Sequence, residues 1–234
     1  HAALGTRNQE PWAFDPETEE NMKNTIKVRY SLMDYLYSEY IRSINELKPY
    51  IKPVFFEYEN ERTKQIEDQY ILGDIMVTPV IQQNARGRFV HLPEHRWMEV
   101  KFRSNEEYST KIYENGDYYI SNELNEFSMF LKENSLVMFN EPQNYFGEKE
   151  INKIKVIGFV SDFAQNDFHF DDGLTYKSKD GLFVNIHVEV NIENTEYNVE
   201  IEIDDSEEFE NKISVFEFEL YNEAGEVYYT TLEI

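Results

Sequence analysis

Apolar and polar side chains alternate between Val188 and Ile203: Val188, Val190 and Ile192, then Tyr197, Val199, Ile201 and Ile203, with Asn and Glu between them. A period of two places the apolar residues on one face of an extended chain, whereas a helix would scatter them around its axis. The stretch is therefore restricted to two strands, each with one face buried, and the interruption at Asn194-Thr195 marks a hairpin between them. A second unit of the same kind follows, in which Phe216, Phe218 and Leu220 and then Val227 and Tyr229 flank Asn222-Glu223-Ala224-Gly225. Beyond Pro142 the chain reads as an all-β sandwich.

Upstream the texture changes twice. His1 to Asn24 is polar, with Gly5 permitting a tight turn and Pro11 and Pro16 as breakers, and reads as a long loop. From Thr25 the residues Ile26, Tyr30, Met33, Leu36, Tyr37, Tyr40, Ile41 and Ile44 recur at three- and four-residue steps. That spacing predicts one helix of roughly 22 residues with these side chains on its apolar face, limited by Pro49. After Pro53, short runs such as Pro53 to Phe56, Ile75 to Val77 and Arg88 to Leu92 are separated by Gly73, Asn84, Gly87 and Pro93, a β pattern. The fold class is thus mainly β: a loop and one long helix followed by two β regions, the last of them a β-sandwich candidate.

The 22 Lys and Arg stand against 46 Asp and Glu, a formal charge of −24. A surface this acidic repels phosphate backbones and anionic lipid, so neither nucleic acid nor a membrane is expected as a partner. Hydrophobic residues still make up 41% of the chain, with 17 Tyr, 17 Phe and 2 Trp, which supplies a core and argues against disorder. Glu189, Glu193, Glu200, Glu202, Glu217 and Glu219 fall on outward strand positions, where they solvate the exposed face and discourage edge pairing. The chain lacks Cys and opens on His1, not Met, so it is expected to be the tail of something longer, and its compartment stays open.

Motifs for self-contained chemistry are missing. The five histidines (His1, His91, His95, His169, His187) form no H-x-x-x-H or H-E-x-x-H spacing, and Asp204-Asp205-Ser206-Glu207-Glu208 lacks the regular spacing and central Gly of a calcium loop, so no metal is expected. That acidic cluster reads as a turn between strands. Neither a G-x-S-x-G elbow nor a phosphate- or dinucleotide-binding glycine fingerprint occurs, and no cofactor is expected.

Two segments are dense in rarer residues. One runs from His1 through Glu10-Pro11-Trp12 to Phe14. The other holds Pro53-Val54-Phe55-Phe56-Glu57, Asp68-Gln69-Tyr70 and Leu92-Pro93-Glu94-His95-Arg96-Trp97, after Arg29-Tyr30 and Tyr35-Leu36-Tyr37 in the helix. In this order and with these intervals they resemble the carboxyl-terminal part of glycoside hydrolase family 31, the retaining α-glucosidase family. The likeness is close over about residues 1–100 and weaker later, at Leu124 to Phe127, Phe130 to Ser135 and the Asp171-Asp172-Gly173-Leu174-Thr175 turn. Lys52-Pro53 and Asn134 depart from the family's usual Arg-Pro and Gly.

The resemblance implies that residues 1–50 are the end of a catalytic (β/α)8 barrel, residues 51–142 a proximal β domain and residues 143–234 a distal β-sandwich. It implies hydrolysis of terminal α-linked glucose, with an oligosaccharide or α-glucoside substrate held by the parent barrel. The family's two catalytic Asp residues lie on earlier strands, and its nucleophile motif Trp-x-Asp-Met-Asn-Glu does not occur in these 234 residues. No catalytic residue is therefore expected in this chain, which alone should be inactive. His1 matches a rim histidine that hydrogen-bonds the bound sugar. Arg7, Glu10 and Trp12 read either as an ion pair and aromatic pinning the rim loop or as an ordinary surface loop. Two other readings stand beside this one: a family member acting as α-xylosidase or transglucosylase, and a non-catalytic carbohydrate-binding or interaction module, whose signature would be solvent-facing aromatics.

Overall fold

The structure, a computed structural model, describes residues 4–145, 147–193, 196–205 and 212–234. It is mainly β, as the alternating pattern requires, and starts with two helices where one was expected. Helix α1 (Pro16–Ser31) begins well before Thr25. Asp15 caps it, accepting from the Thr18 amide at 3.0 Å and from the Thr18 hydroxyl at 2.8 Å. Pro16 takes the first helical position, where a missing N–H leaves nothing unsatisfied, so this proline starts a helix. Helix α2 (Met33–Glu46) follows after Leu32, whose N–H is shared between the Val28 and Arg29 carbonyls at 3.2 Å each. The Ser31 carbonyl accepts from the Asn140 amide at 2.8 Å, which draws it out of the helical ladder at the break. Leu47, left-handed at φ 55°, ends α2 before Pro49.

Eight strands follow in a first β region: β1 (Ile51–Pro53), β2 (Tyr70–Leu72), β3 (Ile75–Val77), β4 (Gly87–Leu92), β5 (Trp97–Phe102), β6 (Tyr108–Tyr113), β7 (Gly116–Ser121) and β8 (Phe127–Lys132). Six of them form a sheet in the order β1-β2-β3-β8-β5-β6, and β4 and β7 pair as a separate ribbon. Sheet and ribbon share a buried cluster of Val54, Ile71, Met76, Val90, Leu92, Trp97, Ile120 and Phe130. The Leu92-Pro93 to Trp97 motif works as packing here: the indole is buried and its N–H donates to the Pro93 carbonyl at 3.0 Å.

The second region contains β9 (Ser135–Met138), β10 (Lys153–Phe159), β11 (Phe163–Phe170), β12 (Val184–Glu193), β13 (Glu196–Asp205), β14 (Val215–Tyr221) and β15 (Val227–Glu233). One sheet runs β15-β14-β10-β9, with β10 and β14 parallel, and the other runs β11-β12-β13. Their inner faces meet in a cluster that includes Val156, Phe168, Ile186, Val188, Val190, Phe216 and Leu220 and continues to Val28, Leu32 and Tyr35 of the helices. The first expected hairpin is present as β12 and β13, pairing Val188 with Ile201, Val190 with Val199 and Ile192 with Tyr197. Its turn residues, Asn194 and Thr195, lie outside the described residues, as does most of the acidic cluster after Asp205. The second is β14 and β15, but its register pairs Leu220 with Tyr228 and Phe216 with Leu232, so Val227 and Tyr229 point outward. No helix among the described residues is long and apolar enough to cross a membrane.

Candidate functional site

The expected sugar contact, His1, lies outside the described residues. Farther along the same loop, Arg7 is exposed and forms no ion pair with Glu10, while Trp12, in the short 3-10 turn Pro11–Ala13, is 72% exposed. One Glu10 carboxylate oxygen is buried without a hydrogen-bond partner. The structure does not bring Arg7, Glu10 and Trp12 into one contact cluster.

The helices continue this surface, and here the sequence pattern and the packing part company. The buried helical positions are Val28, Ser31, Tyr35, Ser38 and Glu39, a mixed polar and apolar face turned toward the β regions. The more apolar stripe read from the sequence is only partly buried: Leu36 packs against the core and Tyr37 reaches Asp171, while Ile26, Tyr40 and Ile44 stay about half exposed. A large apolar stripe left open to water is unfavourable unless something covers it. Alongside it, a groove of about 790 Å³ runs between α1 and the six-stranded sheet, lined by Val28, Leu32, Leu36, Leu72, Val77 and Phe127 with Arg29 and Glu126 among them.

The inner face is fastened by polar contacts that the hydrophobic pattern does not reveal. The Tyr35 hydroxyl accepts from the Asp74 amide at 2.8 Å, and Arg42 donates to Glu39 at 2.7 Å and to the Asp167 carbonyl at 3.1 Å. Gly73 permits this close approach: it is left-handed at φ 55°, and a Cβ there would stand 2.7 Å from the Glu39 carboxyl carbon and collide with the Tyr35 hydroxyl. Burial pushes Glu39 up to about 7, with Asp74 and Glu46 adding to the rise and Arg42 and Lys52 opposing it. Farther along α2, Tyr37 donates to Asp171 at 2.6 Å and Ser38 accepts from the His169 amide at 2.9 Å. The Asp171-Asp172-Gly173 segment is indeed a turn, in which Asp172 accepts from the Leu174 and Thr175 amides at 3.0 and 2.9 Å.

A cleft of about 570 Å³ opens at the seam between β6 and the outer face of the β15-β14-β10-β9 sheet. Glu219, expected on a solvated strand face, is buried beneath it. The cause is tertiary: β6 lays Tyr108 over that position. Glu219 accepts from Tyr108 at 2.6 Å, from Tyr221 at 2.5 Å and from Lys155 at 2.8 Å. Burial alone would raise its pKa, but these three donors outweigh it and hold the carboxyl below its ordinary range. Above it, Lys153 pairs with Glu217 at 3.2 Å, and Tyr229 stands 65% exposed at the rim. A spare Tyr–Lys–Glu pattern split over β6, β10 and β14 leaves no local signal in the sequence.

Glu219 has both oxygens occupied by donors, and among the described residues no group of three or more His, Asp or Glu could hold a metal ion.

Residues 47–137 match the family model for the glycosyl hydrolase family 31 C-terminal domain, and residues 1–39 match the model for that family's TIM-barrel domain. The chain is 25% identical over 197 residues to alpha-glucosidase 2 of Bacillus thermoamyloliquefaciens, covering 81% of this chain and 24% of that protein. It is 32% identical over 105 residues to neutral alpha-glucosidase C of Mus musculus, covering 43% and 12%. Its fold matches a family 31 dextranase of Flavobacterium johnsoniae, solved with glucose, at a TM-score of 0.80 and 22% identity over 93% of this chain and 27% of that one. The chain therefore spans about a quarter or less of these relatives. With both family models matched in their natural order and the same β architecture behind them, this chain belongs to glycoside hydrolase family 31.

Proposed function

We propose that the chain is the carboxyl-terminal part of a retaining α-glucosidase-like hydrolase that releases terminal α-linked glucose, with both catalytic carboxyl groups carried upstream. The observation that supports this best is the half-open apolar stripe of α1 and α2, where Ile26, Tyr40 and Ile44 stay about half exposed. A helix pair whose more apolar face is only partly covered is what the last helical segment of a (β/α)8 barrel would look like without the strands it packs on. In this reading residues 1–50 close the barrel, residues 51–142 form a proximal β domain and residues 143–234 a distal one. Leu4 to Phe14 forms part of the barrel rim, where Arg7, Glu10 and Trp12 meet neighbouring loops and His1 hydrogen-bonds sugar hydroxyls.

Retaining hydrolysis places two carboxyl groups roughly 5–5.5 Å apart, one attacking the anomeric carbon and one protonating the leaving oxygen. This chain's share is scaffolding: Tyr35, Glu39 and Arg42 tie the helix to the β regions and so hold the rim at a fixed height, because a site is only as well placed as its support. Assay of this chain alone on 4-nitrophenyl α-D-glucopyranoside should show no turnover, and a parent extended upstream of His1 should hydrolyse it. Turnover by the chain alone, or an upstream segment without Trp-x-Asp-Met-Asn-Glu, would defeat the proposal.

A further inference from the structure

We infer that the seam cleft between β6 and the β15-β14-β10-β9 sheet is a second binding site, one that takes a neutral oligosaccharide by stacking a pyranose ring on Tyr229. The register places Lys155 opposite Glu217, Glu217 opposite Thr231 and Glu219 opposite Tyr229, so these side chains share the outward face of three adjacent strands. Tyr108, Asn105 and Glu106 form the wall. A smaller opening beside it shares Lys155, Glu217, Glu219 and Tyr229 and reaches Thr231. A volume of about 570 Å³ falls within the roughly 300–1,000 Å³ typical of small-molecule sites.

The chemistry of the lining selects the ligand. The Tyr229 ring lies largely in water, pairs across the strand with a carboxylate already committed elsewhere, and adds nothing to the buried cluster. An exposed aromatic face accepts the C–H face of a sugar ring, which is apolar, while the ring's edge needs both donors and acceptors. The cleft supplies both. Lys153 spends one of its three protons on Glu217, whose second oxygen accepts no hydrogen bond among the described residues, and the Thr231 hydroxyl can donate or accept.

Other ligand classes fit worse. An anion would face Glu106, Glu141 and Glu217, a cation would have to displace Lys153 or Lys155 from carboxylates they already pair with, and an apolar molecule would strip water from those ion pairs. A neutral polyhydroxy ring leaves the pairs in place and hydrogen-bonds to their free edges. The Tyr108–Glu219–Lys155–Tyr221 network beneath fixes the floor before any ligand arrives, so little ordering opposes binding.

The test is a titration of the full chain with isomaltotriose, maltotriose and cellotriose, followed by amide chemical shifts. Saturable shifts at Tyr229, Thr231 and Lys155 with at least one trisaccharide are expected. Tyr229→Ala should weaken that binding about tenfold or more, and Glu217→Gln several-fold, with the thermal midpoint of both variants unchanged. No saturable shift with any of the three sugars, or undiminished binding by Tyr229→Ala, overturns the inference. The result does not depend on the proposed hydrolase activity: cleft binding is read without turnover, and an inactive parent would leave it untouched.

Discussion

Glu39, beneath α2, and Glu219, beneath the seam cleft, are both 5% exposed, yet they sit on opposite sides of the ordinary carboxyl range. Glu39 has one firm donor, Arg42, and two acidic neighbours, Asp74 and Glu46, so burial dominates and the acid form is favoured up to about pH 7. Glu219 has three donors converging from three strands, and the ionised form is the comfortable one. Equal burial therefore says little about charge; the number of donors that reach the carboxylate decides it. The two regions also differ in what they join. Glu39 lies where a helix meets a β-turn through a glycine-sized gap, and Glu219 where two sheets meet through side chains alone.

The comparison breaks most visibly at Lys155. Lys155→Met leaves the buried Glu219 carboxylate without its cation and with only the two tyrosine donors, and we expect a loss of about 3 kcal/mol in urea unfolding at pH 7, since removing one partner of a buried ion pair costs the charge that remains. The loss should shrink toward low pH. A carboxyl held below its ordinary range stabilises the fold above its unfolded pKa and loses that contribution as pH falls through the folded one. A loss that stays constant from pH 7 to pH 3 would contradict the assignment.

Glu39 should show the opposite slope. Its folded pKa is raised, so its contribution is fully present below about pH 4.5, the unfolded value, and is lost as pH rises through about 7. The stability of Glu39→Gln relative to the parent chain should accordingly climb between pH 5 and pH 8, by on the order of 2–3 kcal/mol. A flat difference across that range would mean that Arg42 already neutralises the site.

Gly73→Ala probes the gap itself. A methyl group there meets Tyr35 and Glu39 in a left-handed backbone position, and the chain should lose about 2 kcal/mol, detectable as a lower midpoint in thermal unfolding. Val or Thr at the same position should be worse. The smallest effect belongs to His187, which is on the solvent side of β12 between Glu189 at 3.0 Å and Asp167 at 2.6 Å, and whose pKa those two bonds raise. His187→Gln should cost less than about 0.5 kcal/mol at pH 6, in a surface setting where ion pairs are weak. Even that should vanish as pH rises through the raised value, and a larger loss at pH 8 than at pH 6 would reverse the sign.

Much of the β architecture was legible because its signal is local. Val188 to Ile203 alternates in a register that only a half-buried hairpin satisfies, and β12 and β13 pair as that alternation requires. Pro16 was misread because its meaning depends on which side of a helix start it occupies: beside the Asp15 cap it begins α1. Glu219 was misread because outward on a strand is a local property, while exposed is not, and β6 arrives from another part of the chain to cover it. Arg7, Glu10 and Trp12 could be named from the sequence, but what they touch depends on neighbours that local pattern does not supply.

Side-chain period was enough to assign the helical stretch after Thr25 and the strands of the β12–β13 hairpin, which follow from residues a few positions apart, and motifs kept in order over about 100 residues were enough for the family. Tertiary structure alone decided which helical face is buried, why Gly73 must be small, and that two equally buried glutamates carry opposite tendencies to ionise. The physical reason is range. Hydrophobic periodicity is written within a turn or a strand, but desolvation and hydrogen-bond donation come from whatever the fold brings within a few ångströms.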